Sequence, residues 1–225
     1  MRKINLLFSF LIFLSSSVIL TAQDYDSLAN AVYEKDLNKI NEILDSGVNV
    51  DITTADHPAT VLYLASGFEG YEDVVSLLVS RGANVNFKGE DGKTPLMWAA
   101  GNSYPITKIL IDNGAKINEK ANDGMTAFLQ SCFGILSKKV TTDVLDLLLK
   151  NGANVNDVLT SKDAPGWTAL LFASINCDYD LAKYLIQHGA KVNHTSDEGT
   201  TALSLAKQEK FDNIIMLLKK HGALE

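Results

Sequence analysis

DGKTPLMWAAGNSYPITKILIDNGAKIN, residues 91–118, contains one whole structural unit. Asp91-Gly92 makes a turn, because glycine accepts a positive φ and the aspartate carboxylate bonds to nearby backbone. Thr94 stands where a helix N-cap belongs, and Pro95 suits the opening turn, where no N–H is needed. The small pair Ala99 and Ala100 lets a neighbouring helix come close. A second helix then runs to Gly114, the residue best able to adopt the left-handed conformation that ends a helix.

The closing phrase of this unit recurs along the chain: LDSGVNV ending at Val50, LVSRGANVN at Asn86, LIDNGAKIN at Asn118, LLKNGANVN at Asn156, LIQHGAKVN at Asn193 and LLKKHGA at Ala223. Its glycines, Gly47, Gly82, Gly114, Gly152, Gly189 and Gly222, are spaced by 35, 32, 38, 37 and 33 residues. The opening phrase returns as TAFLQSC from Thr126, TALLFAS from Thr168 and TALSLAK from Thr201, and more loosely as TVLYLAS from Thr60. Second helices carry apolar residues at helical spacing, as in Val74, Val75, Leu77 and Leu78. A helix pair of this size cannot bury its apolar face alone, so the units must stack on one another.

The Asp-Gly-x-Thr-Pro-Leu and Leu-Leu-x-x-Gly-Ala-x-Val-Asn phrases resemble the signatures of ankyrin repeats, and they cover essentially the whole chain after the first 22 residues. The resemblance implies an all-α solenoid of about six helix-turn-helix units with β-hairpin fingers. The units fall at roughly 24–55, 56–90, 91–122, 123–164, 165–198 and 199–225. The first lacks the Thr-Pro-Leu phrase and the last exposes Lys207, Gln208, Glu209 and Lys210, so both read as caps.

Two departures stand out. The family places a histidine after the leucine of its Thr-Pro-Leu phrase, linking neighbouring turns by hydrogen bonds. Here that position holds Tyr63, Met97, Leu129, Leu171 and Ser204, which predicts that packing replaces the polar network. The fourth unit also carries extra residues between its helices (FGILSKKVTTDV from Phe133), and the next link is lengthened as DVLTSKDAPGW from Asp157. Such insertions sit in loops, either on the binding side or as neutral additions.

Arg2 and Lys3 precede the apolar run INLLFSFLIFLSSSVIL (residues 4–20), with small Thr21 and Ala22 behind it. This is the layout of a signal peptide over residues 1–22, cleaved after Ala22, and it predicts a periplasmic or secreted protein without a membrane anchor. The formal charge of −7 becomes −9 without the leader's two cations. That balance, with no basic cluster, disfavours nucleic acid and anionic membranes as partners. Cys132 and Cys177 read as small, semi-buried residues rather than a disulfide framework.

Nothing in the sequence has the form of a catalytic or metal site: no nucleophile elbow, phosphate-cradling glycine loop or HExxH helix occurs, and the four histidines lack ligand spacing. The expectation is a monomeric, non-enzymatic module without cofactor that binds a protein. An adaptor role and an inhibitor or immunity-type role against a toxin or enzyme stand side by side, with a structural component of an envelope assembly as a third reading. Resemblance to ankyrin arrays implies binding on the concave face. From the fingers this nominates Phe87, Lys88, Lys93, Met125, Trp167 and His194. From the first helices it nominates Tyr33, Phe68, Trp98, Phe133, Phe172 and Ile175. The aromatic residues weigh most, since interface energy concentrates in large rigid side chains. Trp167 is expected as a contact, and Trp98 as either contact or core.

Overall fold

A computed structural model describes residues 22–224; the signal peptide expected over residues 1–22 lies outside the described residues apart from Ala22. A helix over 22–33 (α1) pairs with α2 (Leu37–Asp45), and α3 (Val61–Ala65) with α4 (Glu72–Ser80). Next come α5 (Pro95–Ala100) with α6 (Tyr104–Asp112) and α7 (Ala127–Leu136) with α8 (Asp143–Lys150). The last pairs are α9 (Ala169–Ile175) with α10 (Tyr179–Gln187) and α11 (Ala202–Gln208) with α12 (Asp212–Lys220). From α3 to α11 each first helix packs on the first helix of the next pair, so the array is a stack with one continuous core. Leu62, Leu96, Phe128, Leu145 and Leu148 are among its fully buried side chains.

Thr60, Thr94, Thr126 and Thr201 each cap a first helix, accepting the N–H of the residue three positions on at 3.1–3.4 Å. Thr168 has the same sequence position but makes no such bond, and its buried hydroxyl oxygen has no partner. The two threonines should therefore respond differently to the isosteric valine. Thr126→Val should lose about 1 kcal/mol of stability in urea denaturation, while Thr168→Val should change it by less than about 0.5 kcal/mol or raise it.

The closing phrase earns its asparagine mechanically. Asn86, Asn118, Asn156 and Asn193 donate from Nδ2 to the carbonyl of the glycine that ends the next pair's second helix, at 2.8–3.1 Å. Three of them also accept a backbone N–H two residues beyond that glycine, from Lys116, Lys191 and Leu224, each at 2.8 Å. Asn86, Asn156 and Asn193 thus clamp both a donor and an acceptor of the following repeat, and Asn118 the acceptor alone, groups that a helix end leaves unsatisfied.

The fingers are narrow turns rather than regular strands. Among the described residues the only bridge is Thr195–Thr201, and a typical finger closes with pairs such as Gly89 N–H to Lys93 O (3.0 Å) and Gly92 N–H to Gly89 O (2.9 Å). Neighbouring fingers are stitched by backbone bonds: Asn122 N–H to Asp91 O, Thr160 N–H to Asp123 O and Asp197 N–H to Pro165 O, at 2.7–3.1 Å. The expectation that packing alone replaces the family's histidine network is therefore corrected. These bonds carry the link, and the Tyr63 hydroxyl adds one to Asp91 (3.3 Å).

The extra residues of the fourth unit are also partly helical rather than loop. Helix α7 runs ten residues, against six in α5, and takes in Phe133, Gly134, Ile135 and Leu136. Phe133, Ile135 and Leu136 rest on the core, and Gly134 lies against Gly101, so the added turn has apolar surface to bury. It stops at Ser137, followed by Lys138 with φ of 59°.

Both cysteines are free thiols. Burial raises the pKa of Cys132, whereas Cys177 is half-buried beside Asn213. A maleimide reagent should label one thiol per native chain and two after unfolding, counted by mass spectrometry; two unreactive thiols before reduction would reveal a disulfide.

Candidate functional site

The side formed by the first helices and the fingers, the one that the resemblance to ankyrin arrays implies is concave, carries two connected recesses at its N-terminal end. The larger, about 410 Å³, lies between α1, the 54–57 turn, α3 and the start of α4. Val32, Val61 and Ala65 form its apolar floor, and Tyr33, Phe68 and Tyr71 its walls. Tyr25 and His57 stack at 4.8 Å at one end, and the Tyr71 hydroxyl donates to the Tyr33 carbonyl (3.0 Å), tying α4 to the end of α1. The Lys35 ammonium donates to the Gly70 carbonyl (2.8 Å) and sits 4.4 Å from the centre of the Tyr71 ring.

The second recess, about 290 Å³, shares Leu64 and Phe68 with the first and continues over Gly67 to Trp98, Asn102 and Lys139. Tyr33, Phe68 and Leu64 remain 77%, 53% and 41% exposed, although each is a large apolar side chain on a concave wall. Large apolar side chains grouped in this way in water make the patch a candidate contact surface.

The remaining nominated residues are more committed to the array itself. Trp98 is half-buried, edge-on to Tyr63 (6.0 Å), with the Lys93 ammonium 4.9 Å from its ring; it forms the inner wall of the second recess. Phe87 meets Tyr63 edge-on at 5.7 Å. Trp167, Phe172 and Phe133 form a separate cluster, with ring centres at 4.9 Å and 4.7 Å, and all three are half-buried. Trp167 thus packs as well as faces outward. Ile175 and Met125 are half-buried too.

Among the charged candidates, Lys88 pairs with Glu119 on the next finger at 2.5 Å, and this contact holds the Glu119 carboxyl below its usual pKa. Lys93 pairs with Asp91 at 3.3 Å. Burial pushes the Asp91 carboxyl up, but hydrogen bonds and charge from Lys93, together with the Tyr63 hydroxyl, outweigh it and leave the pKa lowered. His194 Nε2 donates to the Gly166 carbonyl at 2.7 Å, a link between two fingers.

Tyr25, His57, Leu64 and Tyr71 belong to the groove although sequence reasoning did not select them. They come from four different segments. Only Leu64 had a sequence signal, since it occupies the register of Trp98 and Phe172 in the repeated phrase.

Among the described residues no group of three or more His, Cys, Asp or Glu side chains is placed to share a metal ion, and no helix is long and apolar enough to cross a membrane. The family model described as ankyrin repeats (3 copies) matches residues 28–121 and again 122–224. The chain is an ankyrin-repeat protein. Similar proteins include the ankyrin repeat protein YahD of Escherichia coli (strain K12), 28% identical over 200 residues, covering 86% of this chain and 94% of that protein. The ankyrin repeat protein FPV031 of fowlpox virus (strain NVSL) is 36% identical over 168 residues, 71% of this chain but only 47% of the viral protein. The mouse fibronectin type 3 and ankyrin repeat domains 1 protein matches a 55-residue stretch at 44% identity, 24% of this chain and 16% of its own length. Ankyrin repeats generally mediate protein–protein interaction and are typically non-enzymatic scaffolds.

Proposed function

We propose that this ankyrin-repeat protein is exported to the periplasm or the cell exterior and there holds a protein partner in the N-terminal part of its concave face. One observation carries the reading: Tyr33, Leu64 and Phe68 stand exposed together along a recess that the stack leaves open. Large apolar side chains at the centre of such a recess supply most of the affinity of an interface. Export rests on Arg2, Lys3 and the apolar run over residues 4–20.

The test is affinity recovery of the protein from its producing cells beside a Tyr33→Ala/Phe68→Ala double variant. Both side chains are exposed, so the variant should keep the parent's unfolding midpoint. The reading expects a partner, retained by the parent in stoichiometric amount, to be lost from the folded variant. Equal retention by both would remove the groove from the interface.

A further inference from the structure

The charge of this chain is distributed unevenly. Residues 22–80 contain eleven acidic and two basic residues, a net −9, whereas residues 81–225 contain sixteen of each and are neutral. Nearly all of the negative balance outside residues 1–21 therefore lies on the first two helix pairs, the part of the array that forms the larger recess, even with Arg81, which caps α4 and pairs with Asp45.

Asp26 lines that recess with its carboxylate side chain 62% exposed, and the exposed Glu69 follows Phe68 directly. Of the two lysines in this region, Lys39 is paired with Glu42. The other, Lys35, lies over the Tyr71 ring, and Lys93 lies over the Trp98 ring farther along. The electron-rich faces of this groove thus already receive ammonium groups, an attraction that grows when water is excluded. Asp26 in the lining and Glu69 beside Phe68, on a part of the chain with a net negative charge, attract cations over about 10 Å and repel acidic segments.

We infer that the groove takes a cationic amphipathic segment of the partner, in which apolar side chains fill the recess over Val61, Leu64 and Phe68 while flanking Lys or Arg residues meet Asp26 and Glu69. This rests on the protein-binding reading above and adds the chemistry of what is bound. The neutral C-terminal repeats contribute the rigid continuation of the stack, and the acidic N-terminal pairs select the ligand.

The experiment uses fluorescence anisotropy with the full chain and two labelled peptides, one alternating Leu and Phe with Lys and its counterpart with Glu at every Lys position. The Lys peptide should bind at least about tenfold more tightly, and the difference should shrink as salt rises from about 50 mM to about 300 mM. Asp26→Asn/Glu69→Gln should weaken the Lys peptide several-fold, and Phe68→Ala should weaken it about tenfold. Asp180→Asn/Glu198→Gln, in the neutral part, should leave binding unchanged. Equal binding of the two peptides, or equal losses from the two double variants, overturns the proposal. Binding of the Lys peptide only after residues 1–22 are removed would assign the groove to the chain's own basic, apolar leader and overturn it as well. A cellular partner that still depends on Tyr33 and Phe68, together with peptides that do not discriminate, would retire the charge argument and leave the protein-binding function standing.

Discussion

Gly134→Ala should lower the unfolding midpoint of this protein, although the same exchange inside a helix ordinarily raises stability by about 1 kcal/mol. Gly134 lies near the end of α7, where that helix crosses the end of α5. A Cβ there would come within 2.5 Å of the Gly101 carbonyl oxygen, 2.9 Å of the Gly101 Cα and 2.8 Å of a Val140 methyl. Two of the three are backbone atoms, so no side-chain rotation relieves the overlap, and α7 must move away from α5. Forcing extra volume into a packed contact costs about 1–3 kcal/mol and occasionally more. Because the overlap is with backbone, the cost lies at the top of that range, about 3 kcal/mol, and after the propensity gain a net loss of about 2 kcal/mol remains, or roughly 4–8 °C for a domain of this size. Calorimetry on the single variant reads this directly. A raised midpoint would mean that the added turn of α7 does not lie against Gly101.

Gly166→Ala should cost about 3 kcal/mol and Gly199→Ala only about 1 kcal/mol, although the two glycines occupy the same place in the repeated phrase. Their φ values are nearly equal, +76° and +81°, so the left-handed strain of an added side chain is common to both. The surroundings differ. At Gly166 a Cβ would meet Asp197 Oδ1 at 2.6 Å and the Asp197 backbone nitrogen at 2.7 Å, where Asp197 N–H bonds to the Pro165 carbonyl. At Gly199, in the last finger, no atom lies within 4 Å. The finger glycine two residues before the threonine that opens the first helix therefore does two jobs in an interior repeat, turning the chain and letting the next finger close, and only the first in the terminal one. Urea unfolding of the two variants separates them; equal losses would mean that the finger-to-finger bonds contribute nothing to stability.

The repeat was legible because its signals are local. Thr94 caps, Gly114 ends a helix and Asp91-Gly92 turns within a few residues of where each is read, and the same geometry recurs at each pair. The extension of α7 was not legible, since Gly134, Ser137 and the lysines after it look like a loop. What makes that stretch helical is non-local: Phe133 against Phe172 and the space beside Gly101. The missing histidines invited the conclusion that the turns lose their polar link, because backbone bonds such as Thr160 N–H to Asp123 O leave no side-chain trace in the sequence. The groove was half visible. The resemblance to ankyrin arrays nominates Tyr33 and Phe68, which stand exposed beside the recess, and equally Trp98 and Trp167, whose rings Tyr63 and Phe172 partly cover. Tyr25 and His57 became groove residues only once α1 and the 54–57 turn were seen side by side. The acidic bias of residues 22–80 needed no structure, only a count taken by segment.

The account rests on the concave N-terminal groove being the contact surface, and site-specific photo-crosslinking in the producing cells tests that most directly. A photoreactive phenylalanine analogue at position 68 replaces a side chain that is already aromatic and exposed, and the same group at Met216, 67% exposed on α12, serves as the reference surface. The account predicts a discrete crosslinked partner from position 68 and none from position 216. A partner captured from position 216 alone would place the interface on another face of the stack and contradict it.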